Sequence, residues 1–173
     1  MRFILSKTML TYLIFSTLAV GSTALAQVEP ELSPVTWDCL EQTCRAFDVP
    51  LALIIGLMDM ESGQVGRVSR NKNGSYDIGP MQINSSWLGK LGAAGIDENH
   101  LRNNGCVNVA AAGWLLRSLL ASEPSVQEAI ARYHSPNKDR GQKYLQKVKA
   151  RMYTLDVSRT LKRANGSIPG FSE

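Results

Sequence analysis

Two stretches of this chain, residues 49–63 (VPLALIIGLMDMESG) and 106–121 (CVNVAAAGWLLRSLLA), are apolar on nearly every side of a helical wheel. A globular chain hides such helices, so both are expected at the centre of the fold as a buried pair. Pro50 suits a first helical turn and Gly63 the position just past the end, which predicts a helix over residues 50–62. In the second stretch Ala110, Ala111, Ala112 and Gly113 are small enough to allow close packing.

Glu61 interrupts the first pattern. Ile54, Leu57, Met58 and Glu61 follow the i, i+3, i+4, i+7 rule and share a face, so the carboxyl emerges at the edge of an apolar surface. Desolvation there penalises the charged form. The carbonyl end of a helix is also its negative pole, which disfavours a carboxylate a second time. A proton retained on a carboxylic acid near neutral pH is what a general acid requires, and the arrangement recurs where glycosidic bonds are cut. The competing reading is a helix end whose Glu bends out to water, and the surrounding motifs decide between the two.

The first residues read as an export signal. Arg2 and Lys7 supply the positive start, residues 9–20 the apolar middle, and Ala24-Leu25-Ala26 a small-x-small cleavage site. The apolar run contains Thr11, Ser16 and Thr17 and falls short of the roughly 20 residues that span a bilayer, which favours cleavage over a retained anchor. Residues 27–152 are expected to form one compact domain without a further membrane span, and residues 153–173 a basic, flexible tail. Residues 27–137 carry 8 basic and 12 acidic side chains, whereas residues 138–173 carry 9 and 3. That tail could touch an anionic polymer, a membrane surface or a partner protein, but a mildly acidic main body lacks the broad basic surface that nucleic-acid binding requires.

An exported chain meets oxidising conditions, and three cysteines leave one pair and one remaining thiol. Cys39 and Cys44 fall on one predicted helix, too far apart for a bridge, so the disulfide is expected to join that helix to Cys106. Cys44 lies in register with Trp37, Leu40 and Phe47, the expected buried stripe, which favours Cys39 as the partner. No paired CxxC is present and His100 and His134 lie far from the cysteines in sequence, so no metal site is expected.

Elsewhere, residues 34–47 read as an amphipathic helix, residues 69–75 as a polar loop with an Asn-Gly turn, and residues 76–83 as an extended stretch interrupted by Gly79-Pro80. Together these predict one small β-hairpin. Asn84 or Ser85 suits the cap of a short helix, and Asp97 that of another. Ser125 and Glu128 form a capping-box pattern before a stripe of Val126, Ala129, Ile130 and Tyr133. A last helix is expected over residues 141–152 with Tyr144, Leu145, Val148 and Met152 inward. Residues 77–84 (DIGPMQIN) concentrate special types close behind Glu61. Gly79 permits close backbone approach, and the Gln82 amide both donates and accepts, as a sugar site requires. The same segment also reads as a tight hairpin whose polar atoms satisfy one another.

Four motifs in order, Glu61-Ser62-Gly63, then residues 79–84 (GPMQIN), then Cys106-Val107-Asn108 leading into residues 112–116 (AGWLL), then Ala131-Arg132-Tyr133, resemble those of the soluble, goose-lysozyme-like lytic transglycosylases. The similarity is closest to the small members attached to conjugation and secretion machines and covers about residues 37–152. It implies a mainly α, lysozyme-like α+β fold: a helical bundle around a buried central helix, with a short β-hairpin beside an active-site groove. By that resemblance Glu61 is the single acid/base and Ser62 hydrogen-bonds near its carboxyl. Met81, Gln82 and Asn84 belong to the sugar-holding segment, and Tyr133 faces the Glu across the cleft. The family's disulfide corresponds to Cys39 with Cys106. Two positions depart from the pattern: Pro80 stands where Leu is usual, and His134, read as an exposed loop residue, where Asn commonly follows the Tyr.

The resemblance further implies a monomeric, cofactor-free enzyme of the periplasm or cell envelope that acts on peptidoglycan glycan strands, with secretion or conjugation subunits as partners. One carboxyl would protonate the leaving oxygen and then take the proton of the C6 hydroxyl, giving a 1,6-anhydro sugar. Asp59 and Asp77 are the nearest candidates for the second carboxylate of an ordinary glycosidase. The rival expectations are a hydrolytic muramidase on the same fold and a non-catalytic glycan-binding adaptor.

Overall fold

A computed structural model describes residues 31–164, with side chains through Asp156; the expected export signal and the chain beyond Ala164 lie outside the described residues. Within them the chain forms α1 (Trp37–Phe47), α2 (Leu51–Glu61), β1 (Val68–Arg70), β2 (Tyr76–Ile78), β3 (Ile83–Asn84), a 3-10 turn (Ser85–Trp87), α3 (Leu88–Gly92), α4 (Glu98–Asn103), α5 (Gly105–Ser122), α6 (Val126–His134) and α7 (Lys138–Ala164). The architecture is mainly α, with a small antiparallel sheet in the order β1-β2-β3.

α5 occupies the centre. Val109, Ala112 and Leu116 have no exposure, and α1, α4 and α6 pack around the helix. Its length and composition would suit a membrane span, but half of it is buried inside this domain. α2 belongs to the same core through Leu53, Ile54 and Leu57, yet its main neighbour is α7 rather than α5. The expected buried pair is therefore corrected to two apolar helices with different partners. Gly56 explains the choice, because a Cβ there would sit 3.2 Å from Met152 Cγ and a larger residue would push α7 away.

α1 opens with a capping box in which Cys39 takes the place usually held by Glu or Gln. The Thr36 hydroxyl accepts from the Cys39 N–H, and Cys39 Sγ accepts from the Thr36 N–H, both at 3.3 Å. Cys39 is bonded to Cys106 on α5, as expected, with 5.4 Å between their Cα atoms. Turning Cys39 inward rotates the helix, so the buried residues are Cys39, Leu40 and Thr43. Trp37, expected in the stripe, is 44% exposed, and the free Cys44 is only partly buried. Burial and the neighbouring Glu41 push the Cys44 thiol above its usual range, which keeps it protonated.

The hairpin gains a third strand. β1 begins at Val68, so Ser69 and Arg70 belong to a strand rather than to the expected loop. Every residue of β1 is exposed and it is held only by its ladder to β2, which leaves no apolar alternation to announce it. α6 begins at Ser125, whose hydroxyl accepts from the Glu128 N–H, but Val126 is 54% exposed and falls outside the expected stripe. α7 buries Tyr144, Leu145 and Val148 as expected. It runs past Met152 to Ala164, because no Gly or Pro interrupts residues 142–164.

A single amide joins the sheet to the core. Asn108 on α5 has no exposure and makes three hydrogen bonds: Oδ1 accepts from Met81 N–H at 2.8 Å, and Nδ2 donates to Ile78 O at 2.9 Å and Leu101 O at 3.0 Å. Gly79, at φ +70°, leaves room for it, since a Cβ there would lie 2.4 Å from Asn108 Nδ2.

Replacing Asn108 by Ala leaves one buried N–H and two buried carbonyls short of a partner and should lower the free energy of unfolding by about 3 kcal/mol, read from urea denaturation. Replacing Cys39 and Cys106 together by Ser, across a separation of 67 residues, should cost about 4 kcal/mol in the chain-entropy account, read from the same midpoint and slope.

Candidate active site

α2 ends at Glu61, and Ser62 turns the chain in the left-handed region at φ +53° with its N–H donating to Met58 O at 3.0 Å. Sequence reasoning placed Gly63 in that role. The Ser62 hydroxyl instead makes the turn tolerable by donating to Asp59 O at 2.8 Å. Gly63 has a different duty, because a Cβ at that position would lie 2.0 Å from Gly79 O and 2.6 Å from Gln82 Nε2. Only glycine lets the end of α2 press against the turn between β2 and β3, and that contact sets Glu61 beside the sheet.

The Glu61 side chain is 11% exposed, and its Oε1 is buried without a hydrogen-bond partner among the described residues. It does not bend out to water. The Tyr144 hydroxyl, from α7, is likewise buried and faces the Glu61 carboxyl, to which it can donate. Burial pushes the Tyr144 phenol far above the usual tyrosine range, and the adjacent Glu61 carboxylate pushes it further. Tyr133 on α6 behaves similarly: burial raises its phenol well above the usual range, followed by the negative charges of Glu61 and Asp77. Both phenols therefore stay neutral at any physiological pH and act only as hydrogen-bond donors or acceptors. His134 completes the surroundings. Its Nδ1 lies 3.7 Å from Glu61 Oε1, and its ring stacks on Tyr144 with centroids 4.3 Å apart and 1° between planes.

The expected substrate-holding residues divide into engaged and free groups. Met81 has no exposure; its N–H is held by Asn108 and its carbonyl accepts from the Tyr133 hydroxyl at 3.1 Å. Tyr133 thus lies close enough to feel the Glu61 charge, while its hydroxyl is directed at the turn. Asn84 is fully employed: Nδ2 donates to Asp77 Oδ1 at 2.7 Å and Ser75 Oγ at 3.1 Å, and Oδ1 caps the 3-10 turn at the Ser86 N–H. Ser62 serves the helix end. Gln82, at φ +48°, donates from Nε2 to Gly79 O at 2.9 Å, and its Oε1 has no partner among the described residues. Pro80 lacks an N–H, but the donor used in this turn belongs to Met81.

Both other carboxylates considered for the chemistry are occupied. Asp59 Oδ2 accepts from Arg151 Nε at 2.5 Å, and Asp77 accepts from Asn71 Nδ2 at 2.9 Å and from Asn84. Among the described residues no group of three or more His, Cys, Asp or Glu side chains is arranged to hold a metal ion. Two hollows, of about 410 and 230 Å³, are lined chiefly by α1, α3 and α5, and neither is lined by Glu61, Gln82 or Tyr133.

Three participants escaped the sequence reading. Asn108 stood within a quoted motif with no role. Tyr144 was assigned to the core on its spacing, and its phenol was the missed signal, because a tyrosine in an apolar stripe needs somewhere to direct its hydroxyl. His134 was taken for an exposed loop residue; it is the last residue of α6, brought to Glu61 by the packing of α6 and α7.

The chain is 29% identical over 99 residues to the invasion protein IagB of Salmonella typhimurium, a match covering 57% of this chain and 62% of that protein. It is 30% identical over 99 residues to protein IpgF of Shigella flexneri, covering 57% of this chain and 65% of that protein. The matched stretch thus spans less than two thirds of either relative's length. The helix bearing Glu61, the sheet turn against it, α6 and the first two thirds of α7 lie within residues 38–155, which match the transglycosylase SLT domain and place this chain in that family.

Proposed function

We propose that this chain is a peptidoglycan lytic transglycosylase in which Glu61 is the catalytic acid and base. The observation that carries the reading is the Glu61 carboxyl: it is almost wholly enclosed at the end of an apolar helix, its Oε1 has no hydrogen-bond partner among the described residues, and the two other candidate carboxylates are tied up elsewhere.

Protonated Glu61 donates to the oxygen between N-acetylmuramic acid and N-acetylglucosamine as the sugar acquires oxocarbenium character. With no second free carboxylate at hand, the substrate's own N-acetyl group supports the cation. Glu61, now ionised, takes the proton of the C6 hydroxyl, whose oxygen closes on C1. The proton count returns to its start, and the product is a 1,6-anhydro sugar. Gln82 Oε1, with no partner among the described residues, is the group offered to a sugar N–H or hydroxyl. Membership of the transglycosylase SLT domain family supports peptidoglycan as the substrate, and an envelope location after removal of residues 1–26 follows from that substrate. That one relative is named an invasion protein supports service to a secretion or conjugation apparatus, where a local opening of the wall is needed.

Glu61→Gln should abolish release of anhydromuropeptides from purified peptidoglycan, a loss of at least about 1000-fold, while circular dichroism and the unfolding midpoint stay near those of the wild type. Mass spectrometry of the wild-type products should show anhydro ends; products heavier by one water would instead indicate a hydrolytic muramidase.

A further inference from the structure

His134 is a partly exposed polar side chain beside the enclosed Glu61 carboxyl. Its Nδ1 stands 3.7 Å from Glu61 Oε1, just outside hydrogen-bond range, while 42% of the side chain is exposed. The flat stack on Tyr144 fixes the plane of the imidazole, and the end of α6 fixes its origin. The charged or titratable groups gathered here come from three further elements: Glu61 from α2, Tyr144 from α7 and, through Tyr133 beside His134 on α6, Asp77 from β2. The two phenols remain neutral, so the imidazole is the remaining polar neighbour that can approach the carboxyl.

We propose that His134 is a positioning residue for Glu61: it closes on the buried carboxylate as a hydrogen-bond donor once Glu61 has given up its proton. This rests on the reading of Glu61 as the acid. An ionised carboxylate in a desolvated site needs a donor, and a charge-assisted bond from imidazole is of the stronger kind. A closure of well under 1 Å brings Nδ1 into range. No proton leaves His134 during turnover; it stabilises the interval between donation to the leaving oxygen and recapture from the C6 hydroxyl.

The full chain has two histidines, so His134 and His100 can be followed by imidazole NMR without ambiguity. In Glu61→Gln the His134 ring signals should move at fixed pH, since the group 3.7 Å from Nδ1 is altered, while those of His100, beside Asp97, should stay put as a control for folding. Unmoved His134 signals overturn the proposal, and this measurement needs no turnover. On purified peptidoglycan, His134→Ala should lower kcat about tenfold or more with KM within about twofold, and His134→Asn, which keeps an N–H donor, should recover part of the loss. A His134→Ala kcat within about twofold of the wild type overturns it as well. Retained activity in Glu61→Gln would instead sink the assignment of Glu61, which the NMR arm does not test.

Discussion

The geometry of this domain depends on one buried side chain, Asn108. An amide inside a helical core is costly unless every polar atom is used, and here both are: the oxygen holds the Met81 N–H, and the nitrogen holds carbonyls from β2 and α4. Met81 in turn receives the Tyr133 hydroxyl, so α5, the sheet turn, α4 and α6 are fastened through two adjacent residues. The disulfide anchors the start of α5 two residues earlier, at Cys106, and extends the same frame to α1. The carboxyl that matters is not itself fastened by anything in this network. It is surrounded by it.

Much of the frame was legible in the sequence because it obeys local rules. Apolar runs with few charged residues marked α2 and α5, the Ser125 and Glu128 pair marked the start of α6, and the Asp97 cap marked α4. Glu61 stood out for a reason the structure retains, a carboxyl at the end of an oily helix. What was illegible depended on contacts between distant residues. The rotation of α1 that exposes Trp37 follows from Cys39 meeting a partner 67 residues away. β1 has no apolar face to advertise it. Ser62, Met81 and Asn84 carry residue types that suit sugar binding, yet each is engaged in shaping the chain, and no local pattern separates the two uses.

The site has an uneven electrostatic character. Two phenols are held neutral by burial and by the charge of Glu61, and the other acids nearby are paired with Arg151 or with amides. This leaves an acid with little competition and little hydration. A carboxyl enclosed among neutral aromatic rings has few groups nearby with which to trade a proton.

Where Gly63 meets Gly79, main chain rests on main chain with no side chain between. The separation of the acid-bearing helix from the sheet turn is therefore fixed by the radii of backbone atoms. Such a joint has nothing to repack, so side chains can change around it while the end of α2 keeps its station against the sheet.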